Sequence, residues 1–470
     1  MSVVLQGLQP LIGEPFIRED GNEATWELSG KLALKEDAFY EPMVTDHPIL
    51  NMRYSVLCAR LAHNLALIDK EADYEEQKAE ELTQQLADAL ALAEILAFIY
   101  GYYLYVPREV KRLLDEQEAF RDLLKMRGYV FPEASKKPTL DEKQAVSFTE
   151  SLKTHHRELN WPRLFSVRLR RIFVVLQPYF QDLKRYGEVF GMVDQFIAPV
   201  LNHLAYLFFI PRLAVNTFLL FKHLIPGWWL SAEEKKLSWL TRLQAQLQRR
   251  WFEMLNDTAW MIGGLLNCYV LIGALAPVGM YVSISLFFFD VILAGVKAFI
   301  ELGRLNTLRN EYKDALNGEG LDPDARKEIE DYQVYLEQRF ISERRQLLLS
   351  VVSTSALFLA MCFAIPALAG TPALPLVGAV LVLIITLATY LVGEWLKSIK
   401  PSYDLKGIKE DGTALFAKSP HNFFHHPRNT QDSDESAELS DVIPRPIHIS
   451  KSSPNFSLQT GTSSEIPGYL

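Results

Sequence analysis

Residues 346–393 read QLLLSVVSTSALFLAMCFAIPALAGTPALPLVGAVLVLIITLATYLVG and contain no Asp, Glu, Lys or Arg. Residues 258–289, TAWMIGGLLNCYVLIGALAPVGMYVSISLFFF, are equally free of charge. A helix crossing about 30 Å of hydrocarbon needs about 20 apolar residues, so both stretches are long enough to enter a membrane. Ala276-Pro277 divides the first into 258–275 and 278–299; Gly370-Thr371-Pro372 and Pro375 divide the second into 347–367 and 374–392. The fold class predicted is all-α: a multi-pass helical membrane protein with four transmembrane helices in two hairpins, up to six, helical cytoplasmic regions and a disordered C-terminal tail. Whole-chain averages conceal this, because 470 residues with 49% hydrophobic and 22% charged residues and a mean hydropathy of +0.03 resemble a soluble protein.

The flanking charges set the expected topology. Both inter-helix turns lack charge, whereas 301–345 holds eight Lys plus Arg, and Lys397 and Lys400 follow the last apolar run. Lys and Arg in short flanks stay on the cytoplasmic side, which places the N-terminal region, the central loop and the tail together there. The loop reads as two helices bent at Asn317-Gly318-Glu319-Gly320, the second opening at Asp322-Pro323, an N-cap and N1 pair. Ile329, Tyr332, Leu336 and Phe340 give it an apolar stripe.

Upstream, 1–190 reads as a mainly helical, cytoplasm-facing region. Within it, 86–106 is strongly apolar, but only the 13 residues of 95–107 lack charge, which predicts a buried core helix rather than a span. Residues 140–185 interleave Arg163, Arg168, Arg170 and Arg171 with Trp161, Phe165 and Phe173, suiting either an anionic lipid face or a solvated helix pair. Residues 191–257 are expected to associate with the membrane. In 195–221, Pro199, Pro211 and Arg212 interrupt an otherwise apolar run; it reads as a kinked span, a helix in the interface or, preferred here, a re-entrant hairpin bending near Arg212. Ser231-Ala232-Glu233-Glu234 has capping-box spacing. After it, Leu237, Leu240, Leu243, Leu247, Trp251 and Leu255 recur at helical spacing opposite Arg242, Arg249 and Arg250. With five of the eight tryptophans between 228 and 260, this predicts an amphipathic helix on the bilayer surface, the alternative being a coiled-coil partner face. The division expected is 1–190, 191–257, hairpin 258–300, charged loop 301–345, hairpin 346–394 and a disordered polar tail 395–470, the last because it is too polar to offset its ordering entropy.

Candidate chemistry is sparse. Asp290 follows Phe287-Phe288-Phe289 in mid-span, where an acid costs about 2.5 to 3.5 kcal/mol. Lys297 lies two turns on and Arg212 sits in the interrupted run, so these three are the candidate intramembrane polar group. His203 is expected to be structural. His421, His425 and His426 have helical metal-ligand spacing but sit in the tail, and no metal or cofactor is expected. Gly263-Gly264, Gly273, Gly279 and Gly295 are candidates for close helix packing, without a G-x-x-x-G repeat. Cys58, Cys268 and Cys362 are too scattered for a disulfide framework, Met1–Gly7 has no basic n-region of a signal peptide, and no nucleotide-binding or hydrolase motif occurs. A formal net charge of −9 excludes a general nucleic-acid binder.

The overall plan, a charged helical N-terminal region, paired apolar hairpins and a Ser/Thr-rich acidic tail with Glu435, Glu438 and 452–464, resembles uncharacterised multi-pass membrane effectors that intracellular bacteria deliver by type IV secretion. That resemblance implies an export signal in the tail and residence in a host membrane; a resident protein of the bacterial inner membrane fits the same plan. The expected function is non-enzymatic, through protein interaction or membrane organisation, with the lipid bilayer, an unidentified protein and a second copy of the chain as partners. The competing expectation is a small ion- or proton-coupled transporter or channel using Asp290; a membrane-embedded enzyme is disfavoured because no clustered reactive side chains appear.

Overall fold

The computed structural model describes residues 15–18, 24–68, 76–132, 148–180, 184–318, 322–365, 373–400 and 402–418. These are predominantly helical. The exception is a three-stranded sheet in which β1 (Phe16–Arg18) pairs antiparallel with β2 (Ala24–Trp26), and β2 pairs parallel with β3 (Tyr129–Val130).

An N-terminal module is built from α1 (Leu28–Leu34), α2 (Asp37–Thr45), α3 (His47–Ile68), α4 (Glu76–Phe98) and α5 (Pro107–Lys125). Alanine and leucine dominate α4 on every side, so neighbours approach closely all round, and residues 85–100 are uniformly buried. The helix Gln77–Tyr103 is long and apolar enough to cross a membrane, yet 94% of its apolar window is covered by protein. This matches the core-helix expectation for 86–106. Trp26, buried beside α4, donates its indole N–H to Glu94 at 3.1 Å, and Arg121 from α5 pairs with the same carboxylate at 2.6 Å.

Four further helices follow: α6 (Phe148–Leu176), α7 (Lys184–Leu207), α8 (Ile210–Leu224) and the short α9 (Ala232–Lys236). The Ser231 oxygen accepts from Glu234 N–H at 3.0 Å, as a cap should, but the helix it opens ends at Lys236. The long helix α10 (Trp239–Leu265) carries its own cap, Ser238, accepting from Thr241 N–H at 3.1 Å. Two sequence expectations change here. Residues 258–265 are the end of α10 rather than the start of a separate span, because nothing breaks the helix between the amphipathic and the apolar parts. The reversal comes over 271–275, after a π-helical turn Leu266–Val270; Pro277 does not divide the hairpin but sits in the first turn of the next helix, where its missing N–H is harmless.

That helix, α11 (Ala276–Leu316), and α12 (Pro323–Cys362) form an antiparallel pair of 41 and 40 residues, each about 60 Å long. Asp322 and Pro323 open α12 as expected. The pair has two different halves. Leu305, Leu308, Tyr312, Ile329, Tyr332 and Leu336 belong to the same buried core as α3–α5, and Arg53 reaches Glu311 at 2.5 Å. The opposite half packs with α13 (Ala373–Ile399) and the end of α10 around Trp260, Phe287, Leu357 and Val382, while Phe299, Val352 and Ile384 stay exposed. α11, α12 and α13 are each long and apolar enough to cross a membrane, with only 22%, 39% and 33% of their apolar windows buried.

The tail expectation is corrected at its start. α13 runs to Ile399, and Leu405–Lys418 forms a helix, α14, packed on α3 and α5. Its stripe Ile408, Leu415 and Phe416 joins the module core, with Arg127 over the Phe416 ring and Tyr403 O–H donating to Glu116 at 3.0 Å. The rest of the tail, 419–470, lies outside the described residues.

Candidate functional site

The surface-helix expectation for α10 predicts leucines on one face and solvated charges on the other. The structure turns that face inward. Leu240, Leu247 and Leu255 are exposed, whereas Arg242, Gln246, Arg250, Asn256 and Asp257 are buried. Spacings of four, four and seven put Arg242, Gln246, Arg250 and Asp257 on one stripe. On α8, Arg212, Asn216 and His223 share a stripe at intervals of four and seven, and the two stripes face each other.

The result is an antiparallel ladder of paired polar groups. Arg212 donates from Nε and Nη2 to the two Asp257 oxygens at 2.7 and 2.5 Å, a bidentate geometry suited to a buried ion pair. One turn along, Asn216 donates to Glu253 at 2.8 Å. Beyond that, His223 Nδ1 lies 2.7 Å from Glu234 Oε1, and Arg242 donates to the His223 carbonyl at 3.5 Å. In the other direction Trp260 donates its indole N–H to Asp290, 3.2 Å from each oxygen, with the indole edge-on to Phe287. Tyr206 and Tyr269 close the ladder, hydroxyl to hydroxyl, at 2.6 Å. Near that end Gly264 brings α10 against α7: a Cβ there would lie 2.8 Å from the Tyr206 Cβ and 3.3 Å from its backbone.

The three residues predicted from sequence do not meet. Asp290, 1% exposed, is held by Trp260. Lys297 places its ammonium 4.4 Å from the Phe252 ring centroid, and Arg212 pairs with Asp257 rather than with Asp290. Asp290 and Arg212 nevertheless share one seam, linked through Asp257 and Trp260, three positions apart on α10. Sequence reasoning missed Asp257, Glu253, Asn216 and Trp260; their three-and-four spacing is visible but reads equally as a solvated face.

A second buried polar group lies on α6, which packs on α13 and α8. His156 stacks on Phe208 with ring centroids 3.9 Å apart, and Arg163 lies over the same ring at 4.2 Å. Arg168 donates to the Thr386 hydroxyl, and Arg171 donates to the Met361 sulfur. Arg163, Arg168 and Arg171 therefore turn toward other helices, not toward water. Pro211 sits in the first turn of α8, and the chain breaks at Phe208–Phe209, so the bend expected in 195–221 falls just before Arg212. His203 bonds its own helix, at 2.6 Å from the Pro199 carbonyl.

Among the described residues no three His, Cys, Asp or Glu side chains gather as metal ligands; His421, His425 and His426 lie outside them. Cys58 is fully buried in the module, where burial pushes its thiol well up. Comparison with known protein families, curated proteins and solved structures finds no match.

Proposed function

We propose that the chain is an integral multi-pass membrane protein in which the end of α10 with α11, and α12 with α13, cross a bilayer as two hairpins. On this reading it presents the N-terminal module on the cytoplasmic side and acts through protein interaction or membrane organisation, without catalysing a reaction. The carrying observation is the composition of one core. Residues 305–336 of the long helical pair, residues 408–416 of α14 and helices α3–α5 share a single hydrophobic cluster. If α11, α12 and α13 cross, the elements at their near ends lie on one face of the membrane, as the Lys and Arg distribution requires. The inverted patterning of α10 supports the same reading, since polar groups inside and leucines outside suit an apolar surrounding.

Single cysteines in a cysteine-free background test the topology. Glu330→Cys and Lys406→Cys should label from one side of sealed vesicles, and Gly273→Cys from the other. Labelling of 330 and 406 from opposite sides defeats the proposal. The competing reading, ion or proton movement, draws on Glu253 and Asp257 of α10 and Asp290 of α11 following one another along a single seam. Its test is pH-dependent flux in proteoliposomes, which Asp290→Asn should abolish. The interaction reading is favoured because the carboxylates of the ladder are held by Arg, Asn, His and Trp groups of the same chain.

A further inference from the structure

We propose that the outward face of α12 binds an anionic phospholipid, its phosphate against Arg344 and Arg345 and its acyl chains along the apolar residues that follow. The proposal rests on the membrane reading above. Ile341, Leu348, Val352 and Leu359 recur at intervals of seven, four and seven, and are 45%, 45%, 62% and 62% exposed, so they share one outward face. Arg344 and Arg345 lie three and four residues after Ile341, and four and three before Leu348. The same face therefore carries both guanidinium groups, and both residues are exposed. Within one turn this face passes from hydrocarbon-like to doubly cationic. The neighbouring helices change character at the same level. Arg309 pairs with Glu337 across the antiparallel α11 and α12, so Phe299, ten residues before Arg309, falls level with Leu347. Phe299 is 81% exposed and ends the outward apolar stripe of Ile292 and Val296. Lys400 lies 2.9 Å from Glu343, so Trp395, five residues before Lys400 on α13, falls level with Leu348. Trp395 is 58% exposed. An exposed indole and free arginines at the end of an apolar belt mark the boundary between hydrocarbon and headgroups.

Partners single these two arginines out. At this end of the helices Arg304 pairs with Glu301, Arg309 with Glu337, Arg339 and Lys400 with Glu343, and Lys397 with Glu394. Arg344 and Arg345 meet no carboxylate among the described residues. The chain neutralises the other five cations itself and leaves this pair to its surroundings. An arginine at the end of a hydrocarbon-facing stripe lays its apolar stem along the acyl chains and lifts its fork into the headgroup layer. The acceptors there are phosphate oxygens, which match the parallel N–H donors of a guanidinium. Two adjacent cations favour a headgroup of net negative charge over a zwitterionic one, whose own cation offsets its phosphate.

The test uses the full-length chain in a cysteine-free background, with a fluorophore at Leu348→Cys, reconstituted in phosphatidylcholine vesicles. A small fraction of the lipid is brominated phosphatidylglycerol in one sample and brominated phosphatidylcholine in the other. Bromine quenches only at close range, so each sample reads the lipid beside position 348. With both arginines present, phosphatidylglycerol should quench more strongly, by a local enrichment of about fivefold for each arginine. Arg344→Gln together with Arg345→Gln should bring the two lipids to equal quenching. The paired Arg344→Lys and Arg345→Lys replacement keeps both charges and should retain most of the preference. A fluorophore at Leu359→Cys, about 16 Å further along the helix, should show no preference. Equal quenching by the two lipids at 348 with both arginines present, or a preference that survives the glutamine pair, overturns the proposal and leaves the membrane reading standing. Quenching by neither lipid at 348 and 359 defeats the membrane reading itself, and this proposal with it.

Discussion

Helices α4 and α10 put opposite kinds of residue inside the protein. In α4 the interior is alanine and leucine, with Ala87, Ala89, Leu90, Ala91, Leu92 and Ala93 all fully buried. In α10 the interior includes Arg242, Gln246, Arg250 and Asp257, while Leu240, Leu247 and Leu255 point out. The first pattern is what water selects, because apolar surface leaves it. The second suits a surrounding that is itself apolar, where polar groups gain by finding one another. An apolar helix is therefore not a span by virtue of being apolar: α4 is sheathed by protein, and α11, α12 and α13 are not.

The sharpest break of this contrast is a cut inside the inverted half. Asp257→Ala should cost about 3–5 kcal/mol, because it breaks the bidentate pair between the fully buried Asp257 and the half-buried Arg212. The paired replacement Arg212→Met with Asp257→Leu should recover most of that, measured by unfolding in detergent. A single mutant no less stable than wild type would mean that the seam is wet. Next come matched truncations in the two halves. Leu90→Ala in the module should cost about 2–5 kcal/mol. Val352→Ala, at a position 62% exposed, should cost within about 0.5 kcal/mol. Comparable losses at the two sites would show that Val352 is covered by protein, not by its surroundings.

A third break is a pH dependence confined to the module. His47 is 4% exposed, lies 2.8 Å from the Val44 carbonyl through Nδ1, and is held neutral mainly by burial, with Arg249 and Arg304 adding to the depression, down to about 3. A base whose folded pKa is depressed contributes stability present above its unfolded value, about 6.5, and lost as the pH falls below that value toward 3. The slope in that window should be about 1.4 kcal/mol per pH unit. His47→Gln, which keeps a donor for Val44, should flatten it, and the difference between the two curves isolates this residue.

Several features were legible from sequence because one residue type forces the geometry. Asp322-Pro323 opens α12, the short uncharged run of 95–107 marks α4 as a core helix, and the absence of charge in 346–393 marks two long apolar helices. Pro277 was misread, since proline is as much at home in a first turn as in a break, and only the preceding Gly273, at φ +60°, decides where the chain reverses. The helix at 405–418 was hidden by a polar average; its stripe Ile408, Leu415 and Phe416 is too short to stand out without the module it docks on. The ladder was hidden for a deeper reason. Period three-and-four identifies a face, but whether a polar face meets water or another polar face is a tertiary fact, and Arg212, Asn216 and His223 became its partners only once α8 packed on α10.

The central claim is that hydrocarbon covers the exposed apolar faces of α11, α12 and α13. A nitroxide placed at Val352, in reconstituted vesicles, reads this directly through collision with oxygen and with a water-soluble nickel chelate. High access to oxygen with little access to nickel is the result expected; free collision with nickel, as on a water-facing helix, would contradict it.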